Sequence, residues 1–479
     1  MALDEIRKIK IEKLELLRKA GVNPYPEKSW RTHEIGQALE NFDKFSADKD
    51  RLVLAGRVMA YREHGASAFL DLEDASGRIQ LYFKKDVLGD FDYDLFLKTI
   101  DIGDFLEASG FLMKTKKEEK TLEVEKYRLL AKALLPLPEK WHGLQDVEER
   151  YRKRYLDLIF NPEVRKKIET RTLIVREIRS FLDGHNFLEV ETPILQILAG
   201  GANAEPFTTH LNTLDLDLYL RIAPELYLKR LLVGGLEKVY EFAKNFRNEG
   251  MDRDHNPEFT MLEFYAAYWD YEKMMSFLEK MLEQVAGETS SAINFKGPYP
   301  KISFNDLFRK YTGLNYDEAD EETLANKAKE LDIKIEKIMT KGNIADEIYK
   351  KVARPNIIEP TFIINHPLEI SPLSKKLEKD PEHVARFQLV ADGTEVMNGF
   401  SELNDPLDQR ERFEEQEKTA KKGNKEAHRL DEDFVEALEY GMPPAAGVGI
   451  GIDRLSALLT DTHSVREIIL FPLMKPQGK

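Results

Sequence analysis

The chain has 479 residues, 42% of them apolar and 10% aromatic, enough for a substantial core and, at about 150 residues per domain, for roughly two to four domains. Its 71 lysines and arginines stand against 86 aspartates and glutamates, a net charge of −15, so bulk charge announces no nucleic-acid partner. No apolar run is long enough to span a membrane, and residues 1–7 are charged where a signal peptide would be apolar; membrane spans and secretion are excluded on this reading. Cysteine is absent, which rules out disulfides, thiolate metal sites and cysteine nucleophiles and leaves a site built from oxygen and nitrogen groups.

Residues 4–20 place Ile6, Ile9, Leu14 and Leu17 at helical intervals, with Gly21, Pro24 and Pro26 following; an amphipathic packing helix is expected. From 53 to about 135 the texture is that of short strands, at 53–58, 68–72, 78–83, 105–112 and 122–130. Five strands with turn signals such as Ala75-Ser76-Gly77 predict a small barrel of the OB type. Pro136 and Pro138 mark the end of an N-terminal domain, residues 1–140, and a linker is expected at 141–160. A larger domain, 161–479, opens with a helix over 162–184, Pro162 in its first turn and Ile168, Ile174, Ile178, Phe181 and Leu182 as its apolar stripe. Further on come a strand at 187–191, a Gly200-Gly201 turn, a helix at 224–232 and a hairpin at 239–268. A charged, helix-prone insertion at 312–350, a β run at 361–365 and alternating strand and helix after Glu395 complete the chain.

Within the hairpin, strand alternation puts Arg247 and Glu249 on one face of the first strand, and Phe259, Glu263 and Tyr265 on one face of the second. Both sets can line one cavity. The planar fork of an arginine suits a carboxylate or phosphate, and a phenylalanine ring offers a flat surface to a base. Glu263 is out of place: a carboxylate in an aromatic strand is costly to desolvate alone, so it calls for a cationic partner. Its alternative is an edge-strand position facing water or Lys244. In Gly447-Val448-Gly449-Ile450-Gly451-Ile452-Asp453-Arg454 a dinucleotide fingerprint fails, because Ile452 stands where the third glycine belongs. Glycine at every second residue leaves one strand face bare, either as a slot for a flat ligand ending at Arg454 or as room for a packed helix. Asn398, Phe400 and Glu402 share a face of a third strand, beside the same cavity or in solvent. Two buried carboxylates with Tyr265 around one pocket would select an ammonium. There is no phosphate-binding G-x-x-x-x-G-K-[ST] loop and no H-E-x-x-H, the ten histidines show no metal spacing, and His255 and His366 read as loop hydrogen-bonders.

Taken together, Phe187-Leu188-Glu189-Val190-Glu191-Thr192-Pro193 after a long helix, Phe246-Arg247-Asn248-Glu249, and the glycine strand ending Asp453-Arg454 resemble motifs 1, 2 and 3 of class II aminoacyl-tRNA synthetases, near 163–193, 239–268 and 447–458. Arg221-Ile222-Ala223-Pro224-Glu225-Leu226-Tyr227-Leu228-Lys229, His255-Asn256-Pro257-Glu258-Phe259-Thr260, His366-Pro367-Leu368-Glu369-Ile370-Ser371-Pro372 and Phe400-Ser401-Glu402-Leu403-Asn404-Asp405 are similar to the lysyl branch of that class, bacterial type. The likeness covers essentially the whole chain. It implies an α+β fold, with an N-terminal OB-fold β-barrel that binds an anticodon and a catalytic domain of antiparallel sheet flanked by helices. It also implies a cytoplasmic homodimer joined through motif 1. The implied reaction is ATP-dependent activation of L-lysine to lysyl-adenylate with release of pyrophosphate, then transfer to the 3′ end of lysine tRNA.

By the same resemblance Arg247 and Arg454 are the catalytic arginines: Arg247 binds the α-phosphate and the amino-acid carboxylate, and Arg454 reaches the γ-phosphate across an adenine stacked on Phe259. Glu249, His255 and Asn256 contact ATP. Gly201 and Glu225 hold the lysine α-amino group, while Glu263, Tyr265 and Glu402 take the ε-ammonium, with Asn398 and Phe400 lining that pocket. Glu395 contacts ATP through Mg²⁺ and is the main metal ligand. Gln388 stands where the family has a second metal glutamate, and Glu402 is a further candidate ligand. Since strict alternation turns Glu395 away from Asn398, a bulge between them is required. In the barrel, Phe69 and Gln80 correspond to positions that stack on and read an anticodon base, and Arg62 to a backbone or base contact; otherwise Phe69 belongs to the barrel core. Competing readings are an aspartyl- or asparaginyl-tRNA synthetase, opposed by the acidic pocket, a protein-modifying lysyl ligase, opposed by the complete barrel, and an RNA-binding relative without catalysis, opposed by Arg247, Glu249 and Arg454.

Overall fold

In the N-terminal part, strands β1 (Leu52–His64), β2 (Ser67–Glu73), β3 (Arg78–Lys84), β4 (Phe105–Lys114) and β5 (Lys120–Ala131) close into a barrel in the order β1-β2-β3-β5-β4. The structure is a computed structural model, and it describes residues 3–138, 146–289, 291, 293–335, 339–421 and 429–477. Two units make up the chain, Met1–Gln145 and Asp146–Lys479. Strand period two sorts the barrel: Ala68, Leu70 and Leu72 point into its core, while Phe69 and Asp71 lie half-buried on the outside. Phe69 is therefore not barrel core. Closure is tight where β4 bulges, since a Cβ on Gly110 would come within 1.8 Å of the Glu123 carbonyl oxygen. The helix Leu3–Lys19 buries Leu14 and Leu17 as expected, but Ile9 is exposed and Lys10 takes the inner position, its ammonium 3.5 Å from the Ile102 carbonyl.

The expected linker at 141–160 is only partly described, residues 139–145 lying outside the described residues. Its remainder is not a linker: residues 147–160 form two short helices, Val147–Arg152 and Arg154–Phe160. Asp146 caps the first by accepting from the Glu149 N–H. The reason these polar residues fold is Arg154, 1% exposed, which donates to Asp157 (2.6 Å) and to the carbonyls of Arg466 and Leu470 (2.9 and 3.1 Å).

The remaining strands are β6 (Leu188–Glu189), β7 (Leu195–Gln196), β8 (Thr208–Leu211), β9 (Leu216–Leu220), β10 (Lys238–Phe246), β11 (Glu258–Ala267), β12 (Lys301–Ser303), β13 (Thr361–Pro367), β14 (Lys376–Leu377), β15 (Asp380–Ala391), β16 (Thr394–Ser401) and β17 (Ala445–Gly451). They form one large sheet in the order β12-β13-β15-β16-β17-β11-β10-β6, with β14 against β15, and a small sheet β7-β9-β8. Pairing is antiparallel except at the β6–β10 and β12–β13 pairs. Of the strand expected at 187–191, only β6 pairs. The insertion at 312–350 holds the helices Glu321–Glu330 and Lys341–Ile348, residues 336–338 lying outside the described residues, and packs Leu324, Ile344 and Ile348 around Phe304 and Phe308. Among the described residues no helix is long and apolar enough to cross a membrane.

One face of the large sheet is covered by the helices Pro162–Gly184, Tyr271–Gly287 and Ile452–Leu459. Ile174, Ile178, Leu278 and Met281 pack there on Leu262, Phe264, Val448 and Ile450, each buried large side chain contributing about 1.5–3 kcal/mol. Ile168, expected in this stripe, is only half-buried. Alternation along β11 then sends Phe259, Met261, Glu263 and Tyr265 to the opposite face, where a cavity opens.

Candidate active site

The cavity has a volume of about 310 Å³, within the usual size of a small-molecule site. Its walls include Gly201, Glu225, Arg247, Glu249, His255, Asn256, Phe259, Glu263, Tyr265, Glu395, Asn398, Phe400 and Arg454, brought from distant stretches of sequence. Two expected site residues, Gln388 and Glu402, are not part of the wall.

At one end stand the two arginines. β10 stops at Phe246, so Arg247 and Glu249 project from the loop after it and not from the strand. The Arg247 backbone N–H donates to the Pro257 carbonyl at 2.9 Å, which fixes the loop, and its guanidinium lies 5.1 Å from the Phe259 ring centroid. Its Nε is buried without a hydrogen-bond partner, and burial pulls its pKa down against the opposing field of Glu249. Arg454 leaves the first turn of the helix Ile452–Leu459 and donates to the carbonyls of Asp254 and Glu395, both at 3.3 Å. Its Nη2 is 3.0 Å from His255 Nε2. A guanidinium cannot accept, so Nε2 accepts and the proton sits on Nδ1, which donates to Asp252 at 2.8 Å. His255 thus binds Arg454 in a loop, and its partner is now defined. Asp453 anchors the strand-to-helix junction: it accepts from Arg171 at 2.9 Å and from the Thr260 N–H at 2.8 Å.

The other end is acidic. Glu263 is 4% exposed and lies on the central strand β11, not on an edge; Lys244 pairs with Glu258 instead. It accepts from the Tyr265 hydroxyl at 2.9 Å, but among the described residues it has no ion pair. Burial, with the charge of Glu225 adding to it, pushes its pKa up to about 8. Glu402, 1% exposed, is likewise pushed up to about 8 by burial; it forms an ion pair with Lys229, whose ammonium also lies 2.7 Å from Glu225. The glycine strand serves this end. A Cβ on Gly447 would fall 2.3 Å from the Tyr265 ring and 2.4 Å from Glu402, so this glycine makes room for the pocket residues themselves, not for a helix. Gly201 adopts φ +88° against Glu225, a left-handed conformation that favours glycine.

Between the ends, Leu389 pairs with Met397 and Val390 with Glu395, so Val396 is an extra residue in β16. That is the bulge expected between Glu395 and Asn398, and it brings both to the cavity. Arg386, which the sequence reading passed over, donates to Asn398 Oδ1 at 2.8 Å and to Ile370 O and Ser371 Oγ at 2.9 and 3.0 Å. With its oxygen held, the Asn398 amide has its N–H groups left to donate. The segment 366–372 therefore contributes wall residues Ile370, Ser371 and Pro372, whereas His366 is no loop residue: it is buried on β13, and burial holds its pKa well below the usual imidazole range.

For a metal, Glu395 lines the cavity but Gln388 does not offer its oxygen. The Gln388 Nε2 donates to Glu395 at 2.9 Å and its oxygen accepts from the Tyr349 hydroxyl at 3.3 Å. Nor does Glu402 stand as a ligand, because its carboxylate is taken by Lys229. Among the described residues no group of three or more His, Asp or Glu could hold a metal ion by itself. A single carboxylate fits Mg²⁺ that arrives with nucleotide phosphates, since this ion is commonly bound through one or two carboxylates and phosphate oxygens.

On the barrel, the outer face of β1, β2 and β3 sets Arg62 opposite Phe69, Phe69 opposite Tyr82, and Gln80 one position further, opposite Asp71. Phe69 and Tyr82 stack with centroids 4.7 Å apart at 12°. Arg62 reaches Asp71 at 3.5 Å, and Gln80 accepts from Thr121 at 3.1 Å. Tyr82 escaped the sequence reading, although it follows Gln80 by one strand period.

Residues 146–475 match the family model described as tRNA synthetases class II (D, K and N), and residues 52–130 match that of the OB-fold nucleic acid binding domain. The chain belongs to the class II tRNA synthetases of this D, K and N group. Among its relatives, a lysine–tRNA ligase of Carboxydothermus hydrogenoformans is 50% identical, over 99% of each chain. One of Pelotomaculum thermopropionicum is 48% identical over 99% of this chain and 96% of its own. One of Aquifex aeolicus is 50% identical over 93% of this chain and 76% of its own.

Proposed function

We propose that the protein activates L-lysine with ATP and transfers it to the 3′ end of lysine tRNA. The observation that carries this reading is Glu263, a buried carboxylate on the cavity wall with no ion-pair partner among the described residues. An ammonium at the end of a four-carbon side chain answers it; an aspartate side chain would meet repulsion, and an asparagine would leave the carboxylate unmatched. Glu263 and Tyr265 take the ε-ammonium, with Glu402 behind Gly447 adding a second negative charge. Glu225 beside Gly201 takes the α-ammonium, and Asn398 and Phe400 line the space between.

Arg247 holds the lysine carboxylate against the α-phosphate, Phe259 stacks on adenine, and Arg454 holds the terminal phosphate, with Glu249, His255 and Asn256 completing the nucleotide contacts. The carboxylate then attacks the α-phosphorus, pyrophosphate leaves, and a terminal ribose hydroxyl of the tRNA takes the acyl group. No protein nucleophile is needed; positioning and charge stabilisation do the catalysis. Bound through Glu395 and the phosphates, Mg²⁺ would supply charge neutralisation on the departing pyrophosphate. The barrel face of Arg62, Phe69, Tyr82 and Gln80 reads the anticodon. A homodimer through the motif 1 region is supported by its exposed apolar side chains, Leu188, Leu195 and Ile197, and the cytoplasm is the proposed compartment.

Amino-acid-dependent ATP–pyrophosphate exchange with lysine, asparagine and aspartate, followed by charging of lysine tRNA, tests the reading. Exchange with lysine alone and a charged tRNA are expected. Exchange with aspartate or asparagine would return the chain to another branch of its family, and adenylation without tRNA charging would favour a protein-modifying ligase.

A further inference from the structure

We infer that Lys229, fully buried and behind the cavity wall, sets how many positive charges the amino-acid end accepts and so selects a substrate bearing two ammonium groups. This end holds three buried carboxylates, Glu225, Glu263 and Glu402, at 6%, 4% and 1% exposure. Lys229 is the ammonium among them, one helical turn from Glu225 at 2.7 Å and ion-paired to Glu402, with the Phe400 ring 5.2 Å away separating it from the cavity. Both carboxylates outweigh burial and keep it charged.

The other charged neighbours are committed elsewhere. Glu241, opposite Glu263 on β10, is matched by Arg221 at 2.5 Å. Arg386 donates to Asn398, Ile370 and Ser371, and among the described residues neither it nor Arg247 forms an ion pair with any of the three carboxylates. Three carboxylates against one ammonium leave a deficit of two positive charges. An amino acid with a neutral side chain brings one to this end, through its α-ammonium; lysine brings two, while its carboxylate goes to Arg247. In the free protein burial, with the charge of Glu225 adding to it, makes Glu263 and Glu402 hold their protons up to about 8. Lys229 is thus a positioning and specificity residue, acting through Glu225 and Glu402.

The inference rests on the lysine reading given above. Its test is lysine-dependent pyrophosphate exchange by the full-length protein and by Lys229→Met, Glu402→Gln and the double variant. Each single change leaves the count wrong by one charge and is expected to raise the lysine KM about tenfold or more, equivalent to about 1.4 kcal/mol, with the ATP KM within about twofold. The double variant removes one charge of each sign and is expected to bring the lysine KM back below that of both single variants. If Lys229→Met does not fold, the comparison of the double variant with Glu402→Gln decides alone. A lysine KM unmoved by Lys229→Met, or a double variant no better than the worse single one, overturns the inference while wild-type exchange with lysine keeps the functional reading. Wild-type protein inert toward lysine overturns both.

Discussion

On the barrel, Phe69 and Tyr82 stack on an outer face beside Arg62, all within reach of solvent, and Arg62 and Arg78 both pair with Asp71. In the larger unit Glu225, Glu263 and Glu402 are buried, and Glu263 has no ion-pair partner among the described residues. On the proposed reading the surface site offers a stacking plane to an anticodon base, whereas the buried one leaves an electrostatic deficit that a charged ligand fills. Burial is what converts an ordinary carboxylate into a selector.

The sharpest way to break this contrast is at Arg247, proposed above to bridge substrate and phosphate. Arg247→Ala is expected to lower pyrophosphate exchange by about 10²–10³-fold or more, the usual effect of removing a donor aimed at developing charge, with a melting curve close to wild type. Unchanged exchange would falsify its assignment. Next, Glu263→Gln keeps shape but removes the charge; loss of a charge-assisted hydrogen bond worth about 1.5–3 kcal/mol should raise the lysine KM about 10–100-fold and leave the ATP KM alone. Phe69→Ala should act in the other unit only: tRNA binding weakened by about 1–3 kcal/mol, measured by filter binding or charging kinetics, with tRNA-independent exchange untouched. If exchange fell as well, the two sites would not be separable in this way.

The last effect is on stability. Glu263 has an ordinary value of 4.5 and is pushed up to about 8 when folded, so between those limits the folded state binds more protons than the unfolded one. Stability of the ligand-free protein therefore falls as pH rises from about 4.5 to 8. The Glu263→Gln variant lacks this loss, so its melting temperature should gain on wild type steadily across that window, and saturating lysine should narrow the gap. Parallel melting curves at pH 5 and pH 8 would show that the carboxyl is not desolvated.

Much of this was legible in the chain because strand alternation carried it. Alternation along β11 separates Leu262 and Phe264 from Phe259, Glu263 and Tyr265, and one acid among aromatics is a conspicuous mismatch. The five barrel strands were readable for the same reason. What alternation could not supply was anything depending on a bulge or on meetings across the sheet. Val396 shifts the phase of β16, so Glu395 reaches the cavity only through an irregularity that resemblance, not period, required. Lys229 closes a string that resembles the lysyl branch, but nothing in the sequence gives it a role, since its partner Glu402 lies far away along the chain; Arg386 is hidden likewise, holding Asn398 from the neighbouring strand. The helices at 147–160 were mistaken for a connector because their composition is that of a solvated segment, and only the distant carbonyls that Arg154 meets explain their burial. Tyr82 was missed since a stacked surface pair has no signature apart from its register.

Arg154 also dictates how the larger unit can be cut. A fragment started at residue 161 would strip the carbonyls of Arg466 and Leu470 of their donor and leave the closing segment of the chain to fray, even though every cavity residue would still be present. Excision for separate expression should begin at Asp146, where the cap of the first helix is retained, and proteolytic clipping anywhere inside 147–160 should loosen residues 466–470 before it disturbs the sheet.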